Sequence, residues 1–406
     1  MKNNFYMHSS SVFAVLLAIM IANPHISYSG ENSKNGHSSD RFQNPETSFK
    51  KAKEILLQRY QDRNLTEEAL YQAAVQGMLS SLNEDDHQWN KLFSPKELKE
   101  MEKEDASEFA GIGIVFNFLA DTGLIQVLRL TPGSPAEKNG IHVDDNIVSV
   151  NGKTYREKKI IDVVHDIRGR VGDSIHLKIL RGDQIISKSF KLESIHWNPV
   201  ESEILPHKIG LLYVYYFGEN TPDLIRSALD KFKNAGVRGL IVDLRYNDGG
   251  VFDSAIRSSE LFVPKGSTIT TIIDRENNKE KKKSNQEPVF TENLPIALIS
   301  NQYTAAGAEL FASALIENRG ATLVGEKTAG KWNVQTLEKL PNGFAIKYTT
   351  QNFLSPKGVS FHEIGLKPDL EVASKKDFRP LANNIEVRLT ADAQLKAAVY
   401  LIREKK

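Results

Sequence analysis

From residue 207 onward short apolar runs alternate with amphipathic stretches, and this alternation limits the fold more than any other feature of the chain. "KIGLLYVYYF" is followed by "TPDLIRSALDKFKNAG", then "RGLIVDLRYNDGG", "LPIALISN", "AAGAELFASALIENRG" and "ATLVGEKTAG". Continuous apolar runs suit strands buried on both faces, and the stretches between them supply the crossovers that parallel pairing needs. Thr221 as cap with Pro222 at the first position opens one helix, and Gly236 stops it. The expectation is a mixed α/β core built on a largely parallel sheet. In such sheets sites form in loops at the carboxyl ends of strands, here 245–252, 301–307 and 325–335.

Upstream the pattern changes. Residues 45–107 read as helical: "SFKKAKEILLQRYQD" places Ala52, Ile55, Leu56 and Tyr60 on one face, Thr66 caps the next helix, and Ser94 with Pro95 opens a third. From 108 to 196 short β-rich runs such as "LIQVLRL" and "SIHLKILRG" are separated by turn signals at Pro132-Gly133, Asn151-Gly152 and Arg181-Gly182-Asp183. One helical stretch, "EKKIIDVVHDIRG", interrupts them, which gives a compact β-rich module. The remaining divisions are an α/β core over 197–375 and a C-terminal helical region over 376–406.

The first 44 residues carry an address. The apolar run from Val12 to Ala22 is too short to span a bilayer, and Ser27 with Ser29 forms a small-residue cleavage pattern, so 1–29 reads as a removable export signal. Residues 30–44 read as a flexible polar linker. The expected product is exported, periplasmic or secreted, with no stable membrane span once the signal is removed. Cysteine is absent, which excludes disulfides and thiol chemistry. A net charge of +1 gives no basic field for nucleic acid, and the lysine-rich stretch 276–286 reads as a solvated loop. The histidines lack ligand spacing, so neither metal nor cofactor is expected.

The segment 325–335, "GEKTAGKWNVQ", matches the phosphate-loop spacing G-x-x-x-x-G-K, but Trp332 stands where that loop needs a Ser or Thr for Mg²⁺. The run "WNVQTLEKL" mixes β-branched and aromatic residues and reads as a strand, not the helix a phosphate loop requires. In a strand Lys331, Asn333 and Gln335 share a face. A lysine in apolar surroundings loses its proton readily, and the neutral amine can activate a hydroxyl. Taken alone, the segment fits a surface lysine beside a turn better.

Several motifs in order give the segment its context. "GMLSSLNEDDHQWNKLFSPKE", "FAGIGIVF", "LTPGSPAEKNGIHVDDNIVSVNGK", "LIVDLRYNDGG", "GEKTAGKWNVQ" and "LSPKGVSFHEIGLKPDLEV" together resemble the carboxyl-terminal processing proteases, over roughly residues 45–400. That resemblance implies a crotonase/ClpP-like α/β protease core with an inserted β-rich PDZ domain and a helical N-terminal segment. It implies Lys331 as general base, Gln335 as its orienting partner, and an oxyanion hole from the N–H groups of Gly249, Gly250 and Gly307. It implies that Gly111, Ile112, Gly113 and Ile114 receive a peptide's terminal carboxylate, and that Arg168 couples this to the protease site. Partners would be proteins or peptides bound through their C-termini, and the helical flanks suit a homodimer.

One residue departs from that pattern. Aligning "SNQYTAAGAEL" (300–310) with the family's "NEGSASASEI" places the catalytic serine at Ala306, 25 positions before Lys331. Without a hydroxyl no acyl-enzyme can form. Three explanations stand: a serine replaced by alanine, a scaffold that binds peptides without cutting them, or a substitute hydroxyl at Thr304 or Ser300. Trp332 also replaces a family glycine beside the base, where it could crowd the cleft.

Overall fold

The computed structural model describes residues 44–83, 89–105, 108–119, 121–158, 160–196, 198–290, 294–373 and 389–404. The expected signal (1–29), all but the last residue of the linker (30–44) and residues 376–388 and 405–406 of the C-terminal region lie outside the described residues. The chain divides into two units, 1–71 and 72–406.

In the first unit the helix Pro45–Arg59 starts with proline and ends where Tyr60 turns extended. Its apolar face is exposed, and no residue of this helix is buried. Thr66 caps the helix Glu67–Ser80 by accepting the Ala69 N–H at 3.1 Å.

In the second unit a reciprocal cap opens the helix Pro95–Asp105. Ser94 Oγ accepts from the Glu97 N–H at 3.2 Å, and Glu97 Oε2 accepts from the Ser94 N–H at 2.9 Å. The strands Ile114–Leu119, Leu124–Leu130, Asn146–Val150, Ser174–Arg181 and Gln184–Lys191 then form one antiparallel sheet in chain order. Alternate residues Ile175, Leu177 and Ile179 point into its core with Ile125, Val127 and Ile147, the period-two signature of a one-sided sheet. Glu108–Gly111 pairs antiparallel with Glu193–His196, so one ladder ties the two ends of this module together.

The core sheet runs in the order Leu370–Glu371, Thr322–Gly325, Ile296–Ser300, Gly239–Asp243, Ile209–Val214 and Val200–Leu205. All its pairings are parallel except the last. Alternation along each strand divides the apolar residues between two layers. Leu212, Val214, Leu240, Val242 and Leu298 pack with the helices Thr221–Asn234, Phe252–Glu260 and Gly307–Arg319, whereas Leu211, Tyr213, Ile241, Ala297 and Ile299 pack with the helix Ala393–Glu404. Gly239 admits that last helix closely, since a Cβ there would lie 2.4 Å from the Ile402 side chain. Mixed α/β architecture with an inserted β-rich module is what the sequence pattern and the family resemblance implied.

Two local expectations are corrected. Thr221 does not cap its helix; it is the first helical residue, with Asn220 at the cap position, and its Oγ1 donates to Tyr216 O at 3.0 Å. Within the lysine-rich stretch 276–286, Lys279–Lys283 is not loop but a strand, paired antiparallel with Thr268–Ile273 at the edge of a second sheet. Lysines tolerate an edge because their ammonium groups stay in water and repel a further strand. That second sheet also holds Lys91–Phe93, Asn333–Lys339 and Ala345–Leu354.

A buried ion network fastens the C-terminal segment beneath the core. The Arg245 guanidinium donates to Asp243, to Asp392 Oδ2 at 2.9 Å and to Gln394 Oε1 at 3.0 Å, and Arg245, Asp243 and Asp392 are each no more than 5% exposed. Substituting Arg245→Met leaves two buried carboxylates facing one another with no cation. The expected loss is about 3–5 kcal/mol, read as a lowered midpoint in urea unfolding.

Candidate active site

The strand Ile296–Ser300 leads through residues 301–306 into the helix Gly307–Arg319, and Ala306 is the N-cap residue. Its backbone has φ 49° and ψ −115°, outside the regions an L-residue adopts comfortably, at a cost of about 1–3 kcal/mol. Strained strand-to-helix turns of this kind hold a nucleophile clear of its neighbours. Here the turn presents a methyl group. The alternative hydroxyls are committed elsewhere: Thr304 Oγ1 donates to Leu244 O at 2.9 Å and Ser300 Oγ to Glu326 O at 2.8 Å, and both residues are fully buried.

Glu309, at the third position of that helix and fully buried, fixes the turn. Its Oε2 accepts the Ala306 N–H at 3.0 Å and the Lys331 N–H at 2.8 Å, so position 306 and the lysine meet at one oxygen. Its Oε1 accepts the Gly330 N–H at 2.9 Å and the Thr328 hydroxyl. Burial holds the Glu309 carboxyl above its ordinary range, although donors from Thr328, Gly330, Trp332 and Lys331 oppose the rise. Four donors and no acceptor around one carboxyl suit the ionised form.

Lys331 is largely buried. Desolvation, with the like charge of Lys347 adding to it, lowers its amine to about 8 against the opposing charges of Asp248 and Glu309. Nζ lies 3.5 Å from Gln335 Oε1 and 5.4 Å from the centroid of the Trp89 ring. Gln335 Nε2 donates to Trp89 O at 2.6 Å. A carbonyl only accepts, so this bond settles the amide's orientation and turns Oε1 toward the amine. A neutral amine that donates one N–H to Gln335 keeps a lone pair for another proton.

Trp332 does not crowd the cleft. Its ring is fully buried in the core layer, stacked 4.7 Å from Phe353 and tilted at 52° to Phe361, 5.1 Å away. Lys331, Asn333 and Gln335 do not share one strand face as expected: Lys331 precedes the strand Asn333–Lys339, Asn333 is buried, and a register shift lies between Val334 and Gln335.

The glycine loop packs directly on the turn. A Cβ on Gly249 would lie 2.9 Å from Ala306 Cβ and 3.0 Å from the Gly307 nitrogen, and one on Gly250 would lie 2.5 Å from Phe217 O. Their φ angles of 115° and 125° are open only to glycine. The Gly249 N–H donates to Asn247 Oδ1 at 2.9 Å and is therefore committed. Among the described residues the N–H groups of Gly250 and Gly307 make no hydrogen bond. Of the three expected donors, these two are open to a ligand.

In the β-rich module Ile112, Gly113, Ile114 and Arg168 line one cavity of about 80 Å³ with Phe116, Val164 and Ile167. Gly111 does not line it and pairs instead with Glu193. A Cβ on Gly113 would meet Ser134 Cβ at 2.2 Å, and the Ile112 and Gly113 carbonyls are taken by the N–H groups of Ala136 and Thr131. Sequence reasoning missed Glu309 and Trp89 as site components. A glutamate three residues after a helix cap is a capping signal that points to the first; nothing local points to the second.

Residues 208–372 match the model of peptidase family S41, and residues 100–180 match that of the PDZ domain. The carboxy-terminal processing protease CtpA of Bacillus subtilis strain 168 is 33% identical over 306 residues, 75% of this chain and 64% of its own length. A relative from Staphylococcus epidermidis, named for CtpA-like serine proteases, is 31% identical over 307 residues, 76% of this chain and 61% of its own. The chain thus spans somewhat over three-fifths of these relatives. A crystal structure from Bacteroides fragilis, named for S41 proteases, superposes with a TM-score of 0.60 at 18% identity, covering 92% of this chain and 100% of that one. The photosystem II D1 C-terminal processing protease gives 0.52 at 22% identity, covering 86% and 97%. At these identities the likeness concerns the fold. Residues 208–372 thus form a peptidase family S41 domain, with a PDZ domain ahead of it. More narrowly, the chain is similar to carboxyl-terminal processing proteases over three-quarters of its length.

The lowered amine carries a stability cost with a definite sign. The fold brings Lys331 from its ordinary 10.5 to about 8, so the unfolded chain binds the proton more tightly. Stability is depressed below pH 8 and recovered as pH rises from 8 to 10.5. Lys331→Met is expected to exceed the parent by about 2–3 kcal/mol at pH 7, and the gap should close across that window. Urea unfolding of both proteins at pH 7 and pH 10.5 checks it; an equal gap at both would show that the charge is not its source.

Proposed function

We propose that this chain carries the cleft of a carboxyl-terminal-processing serine endopeptidase acting on exported proteins, with its nucleophile position occupied by a methyl group. Lys331 is the general base, Gln335 holds it, and the Gly250 and Gly307 N–H groups receive the oxyanion. Peptide C-termini dock at 112–114 and Arg168 in the PDZ domain, within limits near 108–196, ahead of a peptidase core near 197–375. The exposed Ile55, Leu56 and Tyr60 suit self-association of two chains.

The observation that carries this reading is the shared oxygen of Glu309, which accepts from both Ala306 and Lys331. With a serine at 306, the neutral amine would take the hydroxyl proton as Oγ attacks the peptide carbonyl. The charge developing on the carbonyl oxygen would fall to the two free amides, a contribution commonly worth about 3–4 kcal/mol per donor. The protonated amine would then deliver its proton to the leaving nitrogen. As the chain stands, Ala306 stops this sequence before its first step. That favours a second reading, a natural pseudoprotease that binds peptides in a regulatory role.

Restoring the hydroxyl separates the two. Ala306→Ser is expected to cleave peptides, with a rate that rises with pH around 8 as Lys331 deprotonates, and Lys331→Ala in that background should abolish cleavage. Peptide binding by the parent with no cleavage by the restored serine would leave only the second reading.

A further inference from the structure

Two tyrosines stand on the loops that frame position 306, and neither takes part in the chemistry proposed for Lys331. Tyr246 lies three residues before Gly249, and Tyr303 three residues before Ala306. Their rings stack with centroids 5.4 Å apart and planes 16° from parallel. Both backbone N–H groups donate to the same atom, Asn301 Oδ1, each at 3.1 Å, so one buried side chain holds the pair in register.

The pair is unfavourable for folding on two counts. Each tyrosine is 50% exposed, so much apolar ring surface stays in water. Tyr246 also has φ 62°, a left-handed backbone conformation that asparagine or glycine would adopt at lower cost. A strained, wet aromatic pair beside a cleft is better explained by what it contacts than by what it packs. Its location names the contact. Each ring stands on the same loop as one of the free amides and four residues before it, Tyr246 before Gly250 and Tyr303 before Gly307.

We infer that Tyr246 and Tyr303 form a subsite for an aromatic side chain of the bound peptide, close to the residue that faces position 306. This rests on the peptide-binding function proposed for the cleft and adds to it a preference in sequence. A third ring would add an offset or edge contact to the pair, and such contacts discriminate by about two- to tenfold in affinity.

The full chain tests this directly, since a protein lacking the hydroxyl is not expected to consume its ligand. Fluorescent peptides of constant length and constant C-terminal residue, with a single phenylalanine moved through an alanine background, are titrated by anisotropy. One internal position should bind about two- to tenfold tighter with phenylalanine than with alanine. Tyr246→Ala and Tyr303→Ala should each remove that difference while leaving the affinity of the all-alanine peptide within about twofold. Tyr246→Gly, which also relieves the backbone, should remove it with no fall in thermal midpoint, which separates loss of the subsite from loss of the fold. Peptide binding without any internal phenylalanine preference, or a preference unchanged in the tyrosine variants, would overturn the subsite alone. Absence of binding by any peptide would overturn the proposed function and the subsite with it.

Discussion

One carboxylate holds the site together. Glu309 is fully buried and accepts from the N–H groups of Ala306, Gly330 and Lys331 and from the Thr328 hydroxyl. These donors come from two segments, which are also joined by the Ala329 N–H to Thr304 O bond at 2.9 Å. Burying a carboxylate costs several kcal/mol, and hydrogen bonds to a charged group return about 1.5–3 kcal/mol each, so the arrangement is stable only when nearly all the donors are present. The turn at 306 and the backbone of the base are therefore positioned as one body. Thr328 extends that body, since its Oγ1 also accepts the Leu366 N–H at 2.7 Å and draws in the segment before Leu370–Glu371.

Much of this architecture was legible as periodicity. Strands buried on both faces leave continuous apolar runs, and "GLIVD" and "IALIS" show them without ambiguity. Lys331 and Gln335 were placed by the family resemblance and not by spacing, since Lys331 precedes the strand Asn333–Lys339 and a register shift separates it from Gln335. Contacts between distant segments were not legible. Arg245 and Asp392 are 147 residues apart, and no local pattern marks an aspartate there as the partner of a buried arginine. Glu309 reads only as the acidic member of a helix cap until its donors from 328–331 are known. The edge strand Lys279–Lys283 was hidden for the opposite reason: its lysines have weak strand preference and form a strand only because Thr268–Ile273 offers a free edge.

The Lys331 amine depends on a residue outside the core motifs. Trp89 acts twice, its carbonyl fixing the Gln335 amide and its ring facing the Lys331 amine. The two effects differ in sign for catalysis. The carbonyl aims an acceptor at the amine and steers its lone pair, whereas the ring's negative face attracts the ammonium form. Desolvation is the larger influence, so the amine is held near 8 and not near its ordinary 10.5. Asn90, next in the chain, secures this roof: its Oδ1 accepts the Thr349 N–H at 2.9 Å and its Nδ2 donates to Leu82 O at 2.9 Å.

Three separate costs fall on one edge of the sheet. Ala306 and Tyr246 each adopt a backbone conformation that other residues would occupy more cheaply, and Lys331 gives up hydration of its amine. None of the three is needed to close the core, whose apolar layers are complete without them. Strain on this scale persists where surrounding structure over-determines it, and here Glu309 and Asn301 do so through five hydrogen bonds to backbone N–H groups. Replacing a serine hydroxyl by hydrogen removes the nucleophile but changes none of these supports, because the Glu309 bond goes to the 306 backbone and not to its side chain. The backbone arrangement around position 306 therefore does not depend on which side chain stands there.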